Sequence, residues 1–208
     1  MSLEKSNQNI EFIFDSPDEF DGSFKIVIIG DKMVGKTALA KRITQNIFEE
    51  KYNETYGAFY STFCIKIKDK ILKLNIYDLP SNQKFKPIIK AFMKDSNLAI
   101  LLYDITNLES FENIEFWLQE LNNYSLSSKV ILVGNKTDLN DERKIPEEEG
   151  RNKVSLKIRK FIECSVKNNI NIKEIFIEAA DLLYPVIDSN SEDKKKAIKK
   201  GKNCCSFC

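Results

Sequence analysis

The sequence predicts an α/β domain: a six-stranded, mostly parallel sheet with one antiparallel edge strand and helices on both faces. Three observations carry that prediction. Short apolar runs alternate with stretches of helical periodicity, the pattern of parallel strands joined by crossover helices. Asp69 and neighbouring lysines mark a tight turn between two of those runs, which makes that pair an antiparallel hairpin at one edge. The first run, Phe24-Lys25-Ile26-Val27-Ile28-Ile29, leads directly into Gly30-Asp31-Lys32-Met33-Val34-Gly35-Lys36-Thr37, which fits the phosphate-loop pattern GxxxxGK[ST].

Taken in order, strands are expected at 24–29, 59–67, 71–77, 98–103, 129–133 and 160–164. A helix should begin at the end of the phosphate loop. A short one near 87–94 opens on Pro87, a residue suited to a first helical position because its missing N–H is not needed there. Phe111, Ile114, Trp117, Leu118 and Leu121 fall on one helical face, as do Ile172, Ile175, Phe176, Ala179, Ala180 and Leu183; both stripes read as core. A helix near 147–158 has poor apolar spacing. No internal repeat is visible.

The chain has 208 residues and 42% hydrophobic content, enough for one well-buried core. Residues 24–184 are expected to form it. Residues 1–23 carry six acids and one Lys and are expected to be a disordered extension, with partner binding as the alternative. Residues 185–208 carry six Lys and three acids and are expected to be a flexible tail. A net charge of +1 argues against a nucleic-acid partner.

A polyphosphate is held best by several inward-pointing backbone N–H groups, and glycines let the chain curl that closely. Gly30 and Gly35 supply the curl around Lys32, Met33 and Val34. Lys36 places its ammonium on the outer phosphates, and Thr37 offers its hydroxyl to Mg²⁺. The alternative is an ordinary glycine turn. Asn135-Lys136-Thr137-Asp138 follows the apolar run Lys129–Val133, and Asp138 can accept two hydrogen bonds from guanine N1–H and N2. Adenine offers neither donor on that edge, so such a carboxylate discriminates between the purines.

These motifs together resemble a small GTPase of the Ras superfamily, nearest the Rab branch. Tyr103-Asp104-Ile105-Thr106, Ser110-Phe111 and Trp117-Leu118 extend the resemblance, and Glu163-Cys164-Ser165-Val166-Lys167 resembles the family's Ser-Ala-Lys loop beside the base. The match covers about Phe24 to Leu183. It implies a P-loop GTPase fold, GTP and GDP as ligands, Mg²⁺ as cofactor, and Ser165, Val166 and Lys167 near the base. Thr55 matches the first-switch threonine that meets Mg²⁺ and the γ-phosphate. Phe48 matches an aromatic stacked on guanine and Tyr52 a tyrosine over the phosphates, each with simple packing as the alternative. Tyr60, Tyr77 and Phe92 match an effector-facing aromatic patch. Effectors, an exchange factor and prenyl-delivery proteins are implied partners in vesicle traffic.

The second switch departs from the pattern. The family's Asp-x-x-Gly-Gln reads here Asp78-Leu79-Pro80-Ser81-Asn82. Asp78 can still hold a Mg²⁺-bound water. Ser81 keeps the N–H that would meet the γ-phosphate, but its Cβ narrows the approach, and Pro80 stiffens the segment. Asn82 stands where a glutamine orients the attacking water, one methylene shorter, so slow hydrolysis is expected. Lys32 and Met33 replace small residues. Lys32 has three open roles: obstructing an incoming catalytic arginine, aiming its own charge at the phosphates, or pointing to solvent.

No His occurs in the chain, which excludes Ser-His-Asp and Cys-His catalysis; Cys64 and Cys164 alone make no zinc site. The acidic start does not read as a signal peptide and no stretch approaches a membrane span, so the expected location is the cytosolic face of an internal membrane with a cytosolic pool. The ending Cys204-Cys205-Ser206-Phe207-Cys208 resembles a Rab terminus in which two cysteines are geranylgeranylated, with Cys204 and Cys205 as acceptors. The alternative is a solvated tail with free thiols.

Overall fold

The computed structural model describes residues 10–14, 17, 19–51, 55 and 57–202, with side chains through Ile187 except that of Gln83. Tyr52, Cys204, Cys205 and Cys208 lie outside the described residues. Strands β1 (Ile10–Ile13), β2 (Gly22–Gly30), β3 (Phe59–Ile67), β4 (Lys70–Asp78), β5 (Leu98–Asp104), β6 (Lys129–Asn135) and β7 (Ile158–Glu163) form one sheet in the order β1-β3-β4-β2-β5-β6-β7. β2 pairs in parallel with β4 and β5, as does β6 with β5 and β7, while β3 pairs antiparallel with β4 across the expected tight turn.

The helices are α1 (Lys36–Gln45), α2 (Lys86–Met93), α3 (Leu108–Glu112), α4 (Ile114–Tyr124), α5 (Glu147–Asn152) and α6 (Ile172–Lys202). Alternation along each strand decides which face a side chain serves. On β2, Phe24, Ile26 and Ile28 join the core under α1 and α6, with Leu39, Phe176 and Leu183. Val27 and Ile29 point the other way, to the core with Ile89, Ile114, Trp117 and Leu121 under α2 and α4. Both faces are covered, so the central strands are apolar throughout: all of Leu98–Asp104 is buried.

Four expectations are corrected. The sheet has seven strands, not six, and the extra one lies in the stretch expected to be disordered. β1 pairs antiparallel with β3, Ile10 opposite Ile67 and Ile13 opposite Cys64. Phe12 and Phe14 pack on Phe63 with ring centroids 6.0 and 5.8 Å away, and Lys173 Nζ lies 5.6 Å from the Phe12 ring. The packing of Phe12 against the core and the pairing of the β3 edge offset the ordering cost. Second, the expected helix at 147–158 ends at Asn152, and Ile158 already belongs to β7. Three glutamates in its first turn suit the positive helix end, and Gly150 lets the Phe161 ring approach to where a Cβ would stand 2.4 Å away. Third, the stripe beginning at Phe111 is broken at Asn113 into α3 and α4. Fourth, the backbone helix α6 passes the expected boundary at 184 and runs to Lys202, over Pro185. Glu, Lys and Ala are good helix formers, and a helix already nucleated by packing propagates cheaply.

Candidate nucleotide-binding site

A cleft of about 510 Å³ opens at the carboxyl ends of the parallel strands, where open α/β sheets bind ligands. β2 delivers the phosphate loop, β4 ends on Asp78, and β6 ends on Asn135. Lys32, Met33, Gly35, Lys36, Thr37, Phe48, Thr55, Ser81, Asn82, Asn135, Lys136, Asp138, Val166 and Lys167 all line it. Of the remaining expected residues, Gly30, Val34, Asp78 and Ser165 stand behind this wall as supports.

The loop's glycines are required by geometry. Gly30 has φ +135°, and a Cβ there would lie 2.3 Å from Leu102 O; Gly35 has φ +104°, and a Cβ would lie 2.3 Å from Asn135 Nδ2. That amide donates to Val34 O at 2.8 Å, while Asn135 Oδ1 accepts from Val166 N at 3.1 Å. One side chain thus ties the phosphate loop to the loop after β7. Lys36 Nζ donates to Gly30 O (3.0 Å) and Asp31 O (2.6 Å) from a buried position, and burial pulls its pKa down to about 8 against the opposing fields of Asp78 and Asp31. It is a desolvated cation inside a curl of N–H groups, which is chemistry suited to an anion.

Thr37 Oγ1 lies 2.5 Å from Asp78 Oδ2, to which it donates, and 2.9 Å from Thr55 Oγ1. Residues from α1, β4 and the intervening loop therefore converge on one point. Asp78 is wholly buried, and its second oxygen, Oδ1, has no hydrogen-bond partner. Burial pushes its carboxyl up to about 6, although the Thr37 hydroxyl and Lys36 oppose the shift. Two hydroxyls and an orphaned buried carboxylate oxygen fit a hard oxygen-seeking cation such as Mg²⁺.

At the other end of the cleft, Asp138 Oδ1 accepts from the wholly buried Ser165 Oγ at 2.5 Å. Ser165 therefore orients the Asp138 carboxylate and does not itself line the cleft. Lys136 adopts φ +73° and is held there by its ion pair to Asp104 Oδ2 at 2.6 Å. Phe48 packs against the core and also lines the cleft, with the Arg42 guanidinium 5.6 Å from its ring. Arg42 donates to Val166 O (3.0 Å) and Lys167 O (3.1 Å), and Lys167 Nζ lies 3.4 Å from Glu50.

Sequence reasoning missed three supports: Arg42, Asp104 and Asp31. Asp31 is the most informative. A carboxylate within an anion-binding loop is an electrostatic misfit, and that misfit was the available signal. Its oxygens accept from Asn113 Nδ2 and Trp117 Nε1, both at 2.7 Å.

The fold and cleft define the class first: a P-loop nucleotide-binding α/β domain. The sequence pattern of the Ras family matches residues 25–184. Ras-related protein RABA1h of Arabidopsis thaliana is 35% identical over 193 residues, covering 90% of this chain and 88% of that protein. Human Ras-related protein Rab-3D is 34% identical over 184 residues, covering 88% and 84%. The chain belongs to the Ras family as a Rab-like small GTPase, an enzyme of the GTP hydrolase class.

Proposed function

We propose that this chain is a membrane-anchored GTP/GDP switch that hydrolyses GTP slowly and recruits effectors in vesicle-mediated transport. The observation that carries the switch is the meeting of Thr37, Thr55 and Asp78. Thr55 reaches this point through a hydroxyl contact to Thr37, and a segment whose contact is completed by phosphate and cation is released when they are lost. Mg²⁺ bound there would neutralise charge on the β- and γ-phosphates. Lys36 and the loop N–H groups hold the phosphates, Asp138 reads the purine edge, and Asn135 keeps the two ends in register.

Slow hydrolysis rests on the second switch. Asn82 Oδ1 accepts from Lys84 N at 3.0 Å, so the side chain closes its own turn. It is also about 1.5 Å shorter than glutamine, in a step that depends on positioning the water. Lys32 and Met33 are exposed on the cleft rim, where Lys32 obstructs an arginine supplied from outside. Anchoring rests on the resemblance of Cys204-Cys205 to geranylgeranyl acceptors: two chains give stable binding where one is marginal, and the six tail lysines add attraction to an anionic leaflet. No described helix is long and apolar enough to cross a membrane.

The test is single-turnover release of phosphate from the GTP-loaded protein. Slow release, accelerated at least about tenfold in Asn82→Gln/Lys32→Gly, supports the reading; release already fast in the parent, or unchanged in the variant, rejects it. The turn closed by Asn82 also favours a second reading, a GTP-bound scaffold with essentially no hydrolysis, which predicts no release on the time scale of nucleotide exchange.

A further inference from the structure

The end of the sheet opposite the nucleotide cleft carries two leucines in the least expected place. Leu126 is 83% exposed and Leu156 92% exposed, the highest values among the large apolar side chains of the described residues. Each sits at the tip of a built turn. Ser128 N donates to Ser125 O, and Ser125 Oγ donates to Ser96 O from a buried position, which pins the first turn to the loop before β5. Ser155 N donates to Ile158 O and Ile158 N to Ser155 Oγ, which closes the second. Lys157 Nζ donates to Ser125 O and Leu126 O and so joins the two turns.

Three cations follow these turns in the chain, and each is directed to main-chain oxygen. Lys157 is bonded as above, Lys129 Nζ donates to Leu182 O (2.6 Å) and Arg159 to Leu156 O (3.5 Å). Arg159 is close enough to Lys129 to help lower its pKa, after the effect of burial. A pair of exposed apolar tips with cations beside them is costly in water, since it exposes leucine and concentrates like charge.

The same end of the molecule is where the chain leaves the domain. Ile187 of α6 lies against Gly22 at the start of β2, so the lysine-rich end of α6 departs from this side. Apolar tips, positive charge beside them and a departing basic tail share one complement: a negatively charged lipid surface.

We propose that this end of the domain, with Leu126 and Leu156 inserted and Lys129, Lys157 and Arg159 at the headgroups, rests directly on an anionic membrane and fixes the nucleotide cleft facing the cytosol. This rests on the membrane-anchored reading and adds to it an orientation, set by the folded domain and not by the tail.

The test uses the full chain loaded with GDP, unmodified and geranylgeranylated, with vesicles of phosphatidylcholine alone or with phosphatidylserine. Leu126→Ser/Leu156→Ser should lower partition of the unmodified chain onto the anionic vesicles at least about tenfold while nucleotide release is unchanged. Both side chains are at the surface, so the fold is retained. Independently, Leu156→Trp should move its emission to shorter wavelength on anionic vesicles, over the background of the buried Trp117. If the geranylgeranylated chain binds but the serine pair costs nothing and the tryptophan stays in water, the face is wrong and the anchor right; a protein partner for those leucines then becomes the better reading. If even the geranylgeranylated chain stays in solution, the anchoring reading fails and the face falls with it.

Discussion

Asp31→Ala should uncouple the phosphate loop from the helix that supports it. Both carboxylate oxygens are engaged at 2.7 Å, one by the indole N–H of Trp117, which is 3% exposed, and one by the half-buried Asn113 amide. Hydrogen bonds to a charged acceptor are worth about 1.5–3 kcal/mol each, and a stranded buried donor costs a further share of its desolvation. Asn113 regains part of its bond from water, so the expected loss is about 2–4 kcal/mol. Trp117→Phe removes one donor and leaves the carboxylate its second partner, so it should cost less. The two changes touch the same bond, and a double-mutant cycle should return a coupling of about 1–2 kcal/mol. Urea unfolding of the GDP-saturated proteins, followed by far-ultraviolet circular dichroism, measures it. Asp31 also supplies the carbonyl that accepts from Lys36 Nζ at 2.6 Å, so a loosened loop should release fluorescent GDP faster by about tenfold or more. Additive unfolding energies with an unchanged release rate would refute the clamp.

Three other perturbations test separate parts of the molecule. Burial raises the folded pKa of Asp78 to about 6 from the ordinary 3.8, so its ionisation is a cost absent well below pH 4, growing as pH rises and fully present above about 6. Two pKa units are about 3 kcal/mol. In nucleotide-free protein with chelator, Asp78→Asn should therefore stabilise at pH 7.5, by somewhat less than this because Lys36 loses a favourable neighbour, and the gain should vanish toward pH 4; a larger loss at pH 7.5 than at pH 4 would contradict the assignment. Gly35→Ala forces a Cβ to within 2.3 Å of Asn135 Nδ2 at φ +104°, and should weaken GDP binding at least about tenfold by equilibrium titration. Phe12→Ser removes the ring stacked on Phe63 and should lower unfolding stability by about 1–2 kcal/mol; no change in urea midpoint would mean that β1 contributes nothing in solution.

How much of this was legible depended on whether a signal was local. β2 through β7 each contain an apolar run, and the hairpin of β3 and β4 was readable from one turn. β1 was not, because four residues among acids carry no usable period, and an edge strand is stabilised by the edge it covers. Asn113 shows the same limit within a helix. The apolar spacing from Phe111 to Leu121 is helical throughout, yet the helix breaks at Asn113, whose side chain is bonded to Asp31, 82 positions away in the chain.

The site divides along similar lines. Gly35, Lys36 and Thr37 were readable because the phosphate-loop pattern names them, and that pattern does not depend on the rest of this protein. Arg42, Asp104 and Ser165 answer instead to other residues: Arg42 holds two carbonyls of the base loop, Asp104 pins Lys136 in a left-handed conformation, and Ser165 aims Asp138. None lines the cleft, so no ligand argument reaches Arg42 or Asp104, and Ser165 was legible only through the resemblance of its loop to the family's. Asn82 belongs to both groups. Its shortened reach was legible as a loss relative to glutamine, but only the folded turn shows its oxygen taken by Lys84 N. Lengthening the side chain by one methylene changes the reach and also strains that turn, so the acceleration in Asn82→Gln measures both together. Lys84→Pro, which deletes the donor N–H and leaves Asn82 in place, separates them: acceleration there would assign the slow rate to the captured oxygen, and none would assign it to length.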